Sequence, residues 1–144
     1  MGHDAVEIDF VMPWVDGSDP AWREEFLKYR ALQAPQGEPA CDTGTAAGAV
    51  DASEERYRDW DTLRYWFRGV ERFAPWVNRI HFITWGHLPA WLDTAHPKLH
   101  VVRHADYIPS PYLPTFNSCP IELNMHRIEG LAEHFVYFND DTFL

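Results

Sequence analysis

Apolar and polar positions alternate at the start of the chain, with Val6, Ile8, Phe10 and Met12 on one side and Glu7, Asp9 and Val11 on the other. That two-residue period predicts a half-buried strand, and Pro13 ends it because proline cannot donate to a ladder. In the loop that follows, Gly17 permits a left-handed turn, Asp19 suits a helix cap and Pro20 suits a first helical position. Trp22, Phe26 and Tyr29 then fall on one face of a helix. The helical period returns after Asp59-Trp60-Asp61, where Leu63, Phe67 and Val70 line a face that Trp66 and Phe73 widen, until Pro75 stops it. Ile80 to Thr84 and Leu99 to Val102 predict two short strands, with one helical turn between them at Pro89-Ala90-Trp91-Leu92. A further helix is expected from Cys119 or Pro120, capped by Ser118. Along it Ser118, Glu122 and His126 recur every four residues as a polar stripe, beside an apolar stripe of Ile121, Met125 and Ile128. Gly130 ends that helix in the left-handed position, and Phe135-Val136-Tyr137-Phe138 reads as a buried strand. Strands separated by helical segments predict an α/β fold, a mainly parallel sheet flanked by helices with right-handed crossovers.

Composition narrows the class. The 144 residues are 46% hydrophobic and 15% aromatic, which describes one folded domain. The formal net charge of -10 argues against a nucleic-acid binder and against a polybasic membrane anchor. It also means that a phosphate-bearing ligand needs a metal or a local basic pocket. Cys41 and Cys119 make no metal-type spacing and read as reduced thiols, pointing to the cytoplasm. No apolar run approaches the length of a membrane span, and the N-terminus is acidic, unlike a signal peptide. Residues 34 to 53 are rich in Ala, Gly, Pro and Thr without period, and read as a mobile loop with no chemistry.

The candidate chemistry gathers at the predicted strand ends. Asn139-Asp140-Asp141 follows the last strand where open α/β sheets bind ligands, and two adjacent acids there call for a cation or a set of donors. The alternative is a solvated turn. Trp14 and Asp16 follow the first strand, where the indole can stack on a base and the carboxylate can bond a ribose. Equally, they describe a core tryptophan and a turn aspartate. Arg64 and Arg68 lie one turn apart and suit a diphosphate, or else pair with helix acids such as Asp61 and Glu71. The polar stripe of Ser118 and Glu122 faces either substrate or water. His81, His87, His96, His100 and His104 have no metal-type i, i+4 pairing and read as surface or strand histidines.

Several stretches together resemble one family. Ile8-Asp9-Phe10-Val11 through Trp14-Val15-Asp16-Gly17-Ser18-Asp19-Pro20-Ala21-Trp22 is similar to the first conserved region of the Stealth proteins. The second region is matched by Arg58-Asp59-Trp60-Asp61 with Leu63-Arg64-Tyr65, Ala74-Pro75-Trp76-Val77, Pro114-Thr115-Phe116-Asn117-Ser118, His126-Arg127-Ile128-Glu129-Gly130-Leu131 and Phe138-Asn139-Asp140-Asp141. On this division residues 1–33 carry the first region, 34–54 a variable loop and 55–144 the second. Stealth proteins are hexose-1-phosphate transferases, among them capsule and exopolysaccharide phosphotransferases and the animal N-acetylglucosamine-1-phosphotransferase.

The resemblance implies a GT-A-like, Rossmann-like nucleotide-sugar-binding half and a donor such as UDP-N-acetylglucosamine. Sugar-1-phosphate would pass to a glycan hydroxyl with release of UMP. It places Asp141, with Asp140, at a Mg²⁺ or Mn²⁺ position, and Ser118 and Glu122 in the active site. Trp14 and Asp16 would begin the nucleotide pocket, with Asn117, Arg64 and Arg127 as further donor contacts. The implied location is cytoplasmic, including the inner face of the membrane. The family's third and fourth conserved regions would follow Leu144, so the chain is expected to be an incomplete catalytic domain, inactive alone. Two other classes remain open at this point: a metal-dependent glycosyltransferase, which would release UDP, and a non-catalytic nucleotide-sugar-binding module.

Overall fold

The computed structural model describes residues 6–33, 57 and 61–144. The expected loop over 34–53, and the helix start placed at Asp59 and Trp60, lie outside them. Among the described residues four strands form one sheet in the order β3-β2-β1-β4, with every neighbouring pair parallel. They are β1 (Ile8–Pro13), β2 (Ile80–Thr84), β3 (Leu99–Arg103) and β4 (His134–Tyr137). The helices are α1 (Pro20–Gln33), α2 (Leu63–Phe73), the single turn α3 (His104–Tyr107) and α4 (Ser118–Leu123). The fold class is therefore α/β, as the alternation of strand and helix patterns predicts.

α2 covers one face of the sheet. Its Leu63, Trp66 and Val70 are buried with Phe10, Met12, Phe82 and Phe138, each burial contributing roughly 1.5–3 kcal/mol. Phe73, expected on this face, is instead 65% exposed, because the buried face runs through Leu63, Trp66, Val70 and Ala74 and leaves Phe73 beside it. The segment from α3 to Leu131 covers the other face, where Val11, Ile83, Val102, Tyr107, Ile108, Met125 and Ile128 form a second core. α1 packs on neither core: its Trp22, Phe26 and Tyr29 surround Phe116, with ring centroids 5.5, 5.3 and 5.4 Å away. The helix starts where the sequence indicates, with Asp19 Oδ1 accepting from the Trp22 N–H at 2.8 Å.

Several expectations need correction. The four middle residues of β1, Asp9 to Met12, are all buried rather than alternately so, since the strand lies between β2 and β4 with both faces covered. Its Asp9 is wholly buried and hydrogen-bonded on all sides. Oδ2 meets His81 Nε2 at 2.8 Å and the Ala132 N–H at 2.9 Å, while Oδ1 accepts from Asn78 at 2.8 Å. Burial alone would push the carboxyl up, but the bonds from Ala132, His81 and Asn78 outweigh it and hold the carboxyl below its usual range. Burial keeps His81 below the usual imidazole range despite Asp9. The neutral ring donates through Nε2 to Asp9 and accepts through Nδ1 from His100 at 3.0 Å.

β4 is an edge strand among the described residues rather than a buried one, with Phe135 and Val136 each 41% exposed. Pro89 to Leu92 is a turn closed by Leu92 N–H to the Pro89 carbonyl at 3.0 Å, not a helical turn. Ser118 is the first residue of α4 rather than its cap; Asn117 caps it, accepting from the Cys119 N–H at 3.0 Å. α4 stops at Leu123 and gives way to a 3₁₀ turn, Met125–Arg127, so His126 does not continue the stripe of Ser118 and Glu122. Gly130 has φ of 73°, as expected after the turn. Gly17 does not adopt positive φ; a Cβ there would lie 2.6 Å from the Tyr57 carbonyl oxygen, so close approach is what excludes a side chain.

Candidate functional site

The strand order sets the location of the site. From β1 the chain builds outward through β2 to β3, then returns to place β4 on the other side of β1. The order therefore reverses between β1 and β4, and a parallel α/β sheet opens a crevice at the carboxyl ends of the strands on either side of such a reversal. Here a cleft of about 150 Å³ opens there, lined from β1's end by Trp14, from β4's end by Tyr137, Asn139 and Asp140, and from α4 by Asn117 and Ser118. It is about half the lower limit of a usual small-molecule pocket, so a nucleotide-sugar would extend past these residues.

Two elements carry the acids. Past β4, Phe138 N–H bonds the Val11 carbonyl at 2.9 Å, extending the pairing by one residue. The chain then turns, with the Thr142 N–H on the Asn139 carbonyl at 3.0 Å and the Asn139 N–H on Thr142 Oγ1 at 3.1 Å. Asp140 and Asp141 occupy the two central positions of this turn, both exposed. Glu122 projects from α4, and its Oε1 accepts from the Tyr137 hydroxyl at 3.1 Å. Burial first, then the Glu122 carboxylate and the Asp140 and Asp141 charges, raise the Tyr137 phenol above its usual range, so it remains a donor.

Among the described residues no group of three or more His, Cys, Asp and Glu side chains is arranged to hold a metal ion. The turn supplies two neighbouring carboxylates. Mg²⁺ commonly takes one or two carboxylates and completes its shell with water and phosphate oxygens. Two carboxylates would suit a Mg²⁺ that takes its other ligands from water and substrate, and would not suit an all-protein cage; of the two, Asp140 lines the cleft and Asp141 lies beside it in the turn.

The other sequence-predicted residues are distributed as follows. Trp14 is 7% exposed and packs on Phe82 and His87, with centroids 5.8 and 5.1 Å away, so it is a core residue with one edge on the cleft. Asp16 Oδ1 accepts from the Ser18 N–H at 2.8 Å and Ser18 Oγ at 2.6 Å, which commits the carboxylate to its own loop. Arg64 lies 3.6 Å from Asp61 and stacks on Trp91, and it does not line the cleft. Arg127 is exposed on the 3₁₀ turn, also outside the cleft lining.

Sequence reasoning passed over Tyr137 and His104, which line the cleft together with Asn139. His104 is 9% exposed, and burial, with nearby His87 adding to it, pushes its imidazole down to about 4, so it is neutral near pH 7. A usable signal was present: each of the three stands at or just past the carboxyl end of a strand.

Comparison with known proteins settles the family. A model of Stealth protein conserved region 2 matches residues 56–144, and one of conserved region 1 matches residues 6–32. The chain belongs to the Stealth family. A capsular polysaccharide phosphotransferase, WcwK of Streptococcus pneumoniae, is 56% identical over 137 residues, covering 95% of this chain and 38% of the relative. The receptor polysaccharide phosphotransferase WefC of Streptococcus oralis is 47% identical over 144 residues, with 96% and 38% covered. CpsJ of Streptococcus thermophilus, a capsular polysaccharide phosphotransferase, is 49% identical over 140 residues, with 95% and 53% covered. This Stealth chain thus spans between 38% and 53% of the length of these curated relatives. No helix among its described residues is long and apolar enough to cross a membrane.

Proposed function

We propose that this Stealth chain forms the donor-binding half of a sugar-1-phosphate transferase of capsule or exopolysaccharide synthesis, using a UDP-sugar such as UDP-N-acetylglucosamine and a glycan hydroxyl. The observation that carries the reading is the cleft at the β1/β4 reversal, which brings Ser118, Asn117, Tyr137 and the acid turn to one sheet edge. The relatives' names, as capsular and receptor polysaccharide phosphotransferases, support the reaction class.

In this reading the acceptor oxygen attacks the phosphorus that bears the sugar. The bond from that phosphorus to the bridging oxygen breaks, and UMP leaves with the electron pair. Glu122 takes the acceptor's proton, and Ser118 and Asn117 donate to phosphate or sugar oxygens. Asp141, with Asp140, would hold Mg²⁺ or Mn²⁺, whose charge offsets that of the diphosphate. Trp14 forms the apolar wall beside the nucleotide. Asp16 holds the preceding loop in shape, and Arg64 and Arg127 extend the donor contacts beyond the cleft.

Product analysis tests the reaction. With UDP-N-acetylglucosamine and capsular acceptor, the complete gene product is expected to release UMP and leave a phosphodiester, visible by ³¹P NMR. Release of UDP with no phosphodiester would assign it instead to glycosyl transfer. Binding of the donor without turnover would make it a binding module.

A further inference from the structure

α4 is too short to place itself. Six residues long, with no buried side chain, it falls well below the roughly 12–15 residues at which an isolated helix becomes even marginal. Ile121 packs it against the second core, and three phenol hydroxyls on other parts of the chain hold it in place. Tyr57 donates to the Phe116 carbonyl at 2.9 Å, just ahead of the helix, and Tyr107 donates to the Ile121 carbonyl at 3.0 Å. Both of these grip backbone and fix where the helix lies. The third, Tyr137, donates to Glu122 Oε1 at 3.1 Å and grips a side chain.

That difference gives Tyr137 a separate task. Glu122 is exposed and has three rotatable side-chain bonds, so α4's backbone alone does not fix its carboxylate. Tyr137 is fixed: its backbone pairs with Val11 of the central strand and its ring packs against the second core. A phenol holds the carboxylate through one hydrogen bond without setting a counter-charge against it, as a lysine or arginine would.

We propose that Tyr137 is a positioning residue for Glu122, clamping Oε1 so that Oε2 is the atom presented to the acceptor hydroxyl. The inference rests on the proposed role of Glu122 as base. It also ties that base to the acid turn, because Tyr137 ends the strand from which Asp140 and Asp141 follow.

A double-mutant cycle in the complete gene product tests it. Tyr137→Phe keeps the ring and removes only the hydroxyl; kcat is expected to fall roughly 10- to 100-fold, with the donor KM within about twofold and the thermal midpoint unchanged. Glu122→Gln should lose on the order of 10²–10⁴-fold, and adding Tyr137→Phe to it should cost nothing further, since the phenol acts through the carboxylate. Multiplying losses in the double variant would mean that Tyr137 acts on substrate independently, and would overturn the inference. So would parental kcat in Tyr137→Phe beside a crippled Glu122→Gln. Parental kcat in Glu122→Gln would instead remove the base assignment on which the inference rests.

Discussion

Replacing Asp141 with alanine in the complete gene product is expected to lower UMP release at saturating donor by about 10³-fold, without unfolding the protein. A cation held by these acids would supply several kcal/mol of charge stabilisation to the diphosphate, and each 1.36 kcal/mol is tenfold in rate. The turn survives the substitution because its closing bonds run between Asn139 and Thr142 and do not use the Asp141 side chain. Asp140→Ala should do less harm, since its neighbour remains to hold the cation. The check is steady-state UMP release over a Mg²⁺ titration, where the loss in Asp141→Ala should not be recovered by added Mg²⁺. Turnover at the parent rate would remove the metal assignment.

The largest expected effect on stability lies away from the cleft. Asp9→Ala should destabilise the fold by about 3–5 kcal/mol, because it leaves hydrogen-bond donors at a buried site without their acceptor, at roughly 1–3 kcal/mol each. Three groups would lose their acceptor at once: His81 Nε2, the Ala132 N–H and Asn78 Nδ2. These belong to β2, to the segment leading into β4 and to the loop before β2, so one carboxylate ties β1 to both neighbouring strands. Urea unfolding of parent and variant measures the difference. A loss below about 1 kcal/mol would show that the carboxylate is replaceable by water and that the network is incidental.

Much of this architecture is legible in the residues, and the exceptions have physical causes. Local chemistry places the start of α1 at Pro20, the bounds of β2 and the left-handed Gly130, because capping, proline geometry and glycine freedom depend on neighbours in sequence. Sheet order does not. An apolar run such as Phe135 to Phe138 has the same pattern in a central strand and at an edge, and it is pairing with β1 alone among the described residues that makes β4 an edge. Asn117 and Ser118 both suit a cap; backbone geometry at Asn117 decides, being extended where Ser118 is already helical.

The Asp9–His81–His100 chain was hidden for a related reason. A search for histidines at helical spacing cannot see that His81 and His100 are register partners across β2 and β3. The candidate site was legible in part. Ser118, Asn117, Asp140 and Trp14 meet in one cleft, and Glu122 is joined to it through Tyr137. Asp16 and Arg64 also make local contacts, Asp16 with Ser18 and Arg64 with Asp61 and Trp91. Spacing alone does not separate a structural role from a donor contact, since a turn aspartate and an i, i+3 ion pair carry the same residues as a nucleotide contact.

The location of the donor is the claim on which the other assignments depend. A crystal structure of the complete gene product with Mg²⁺ and UDP-N-acetylglucosamine tests it most directly. The account predicts the diphosphate between the Asn139–Thr142 turn and α4, with a cation touching Asp141 and the sugar phosphate within reach of Ser118. A diphosphate seated elsewhere, for instance in the apolar groove between Phe67, Trp91 and Leu99 on the far side of α2, would contradict it.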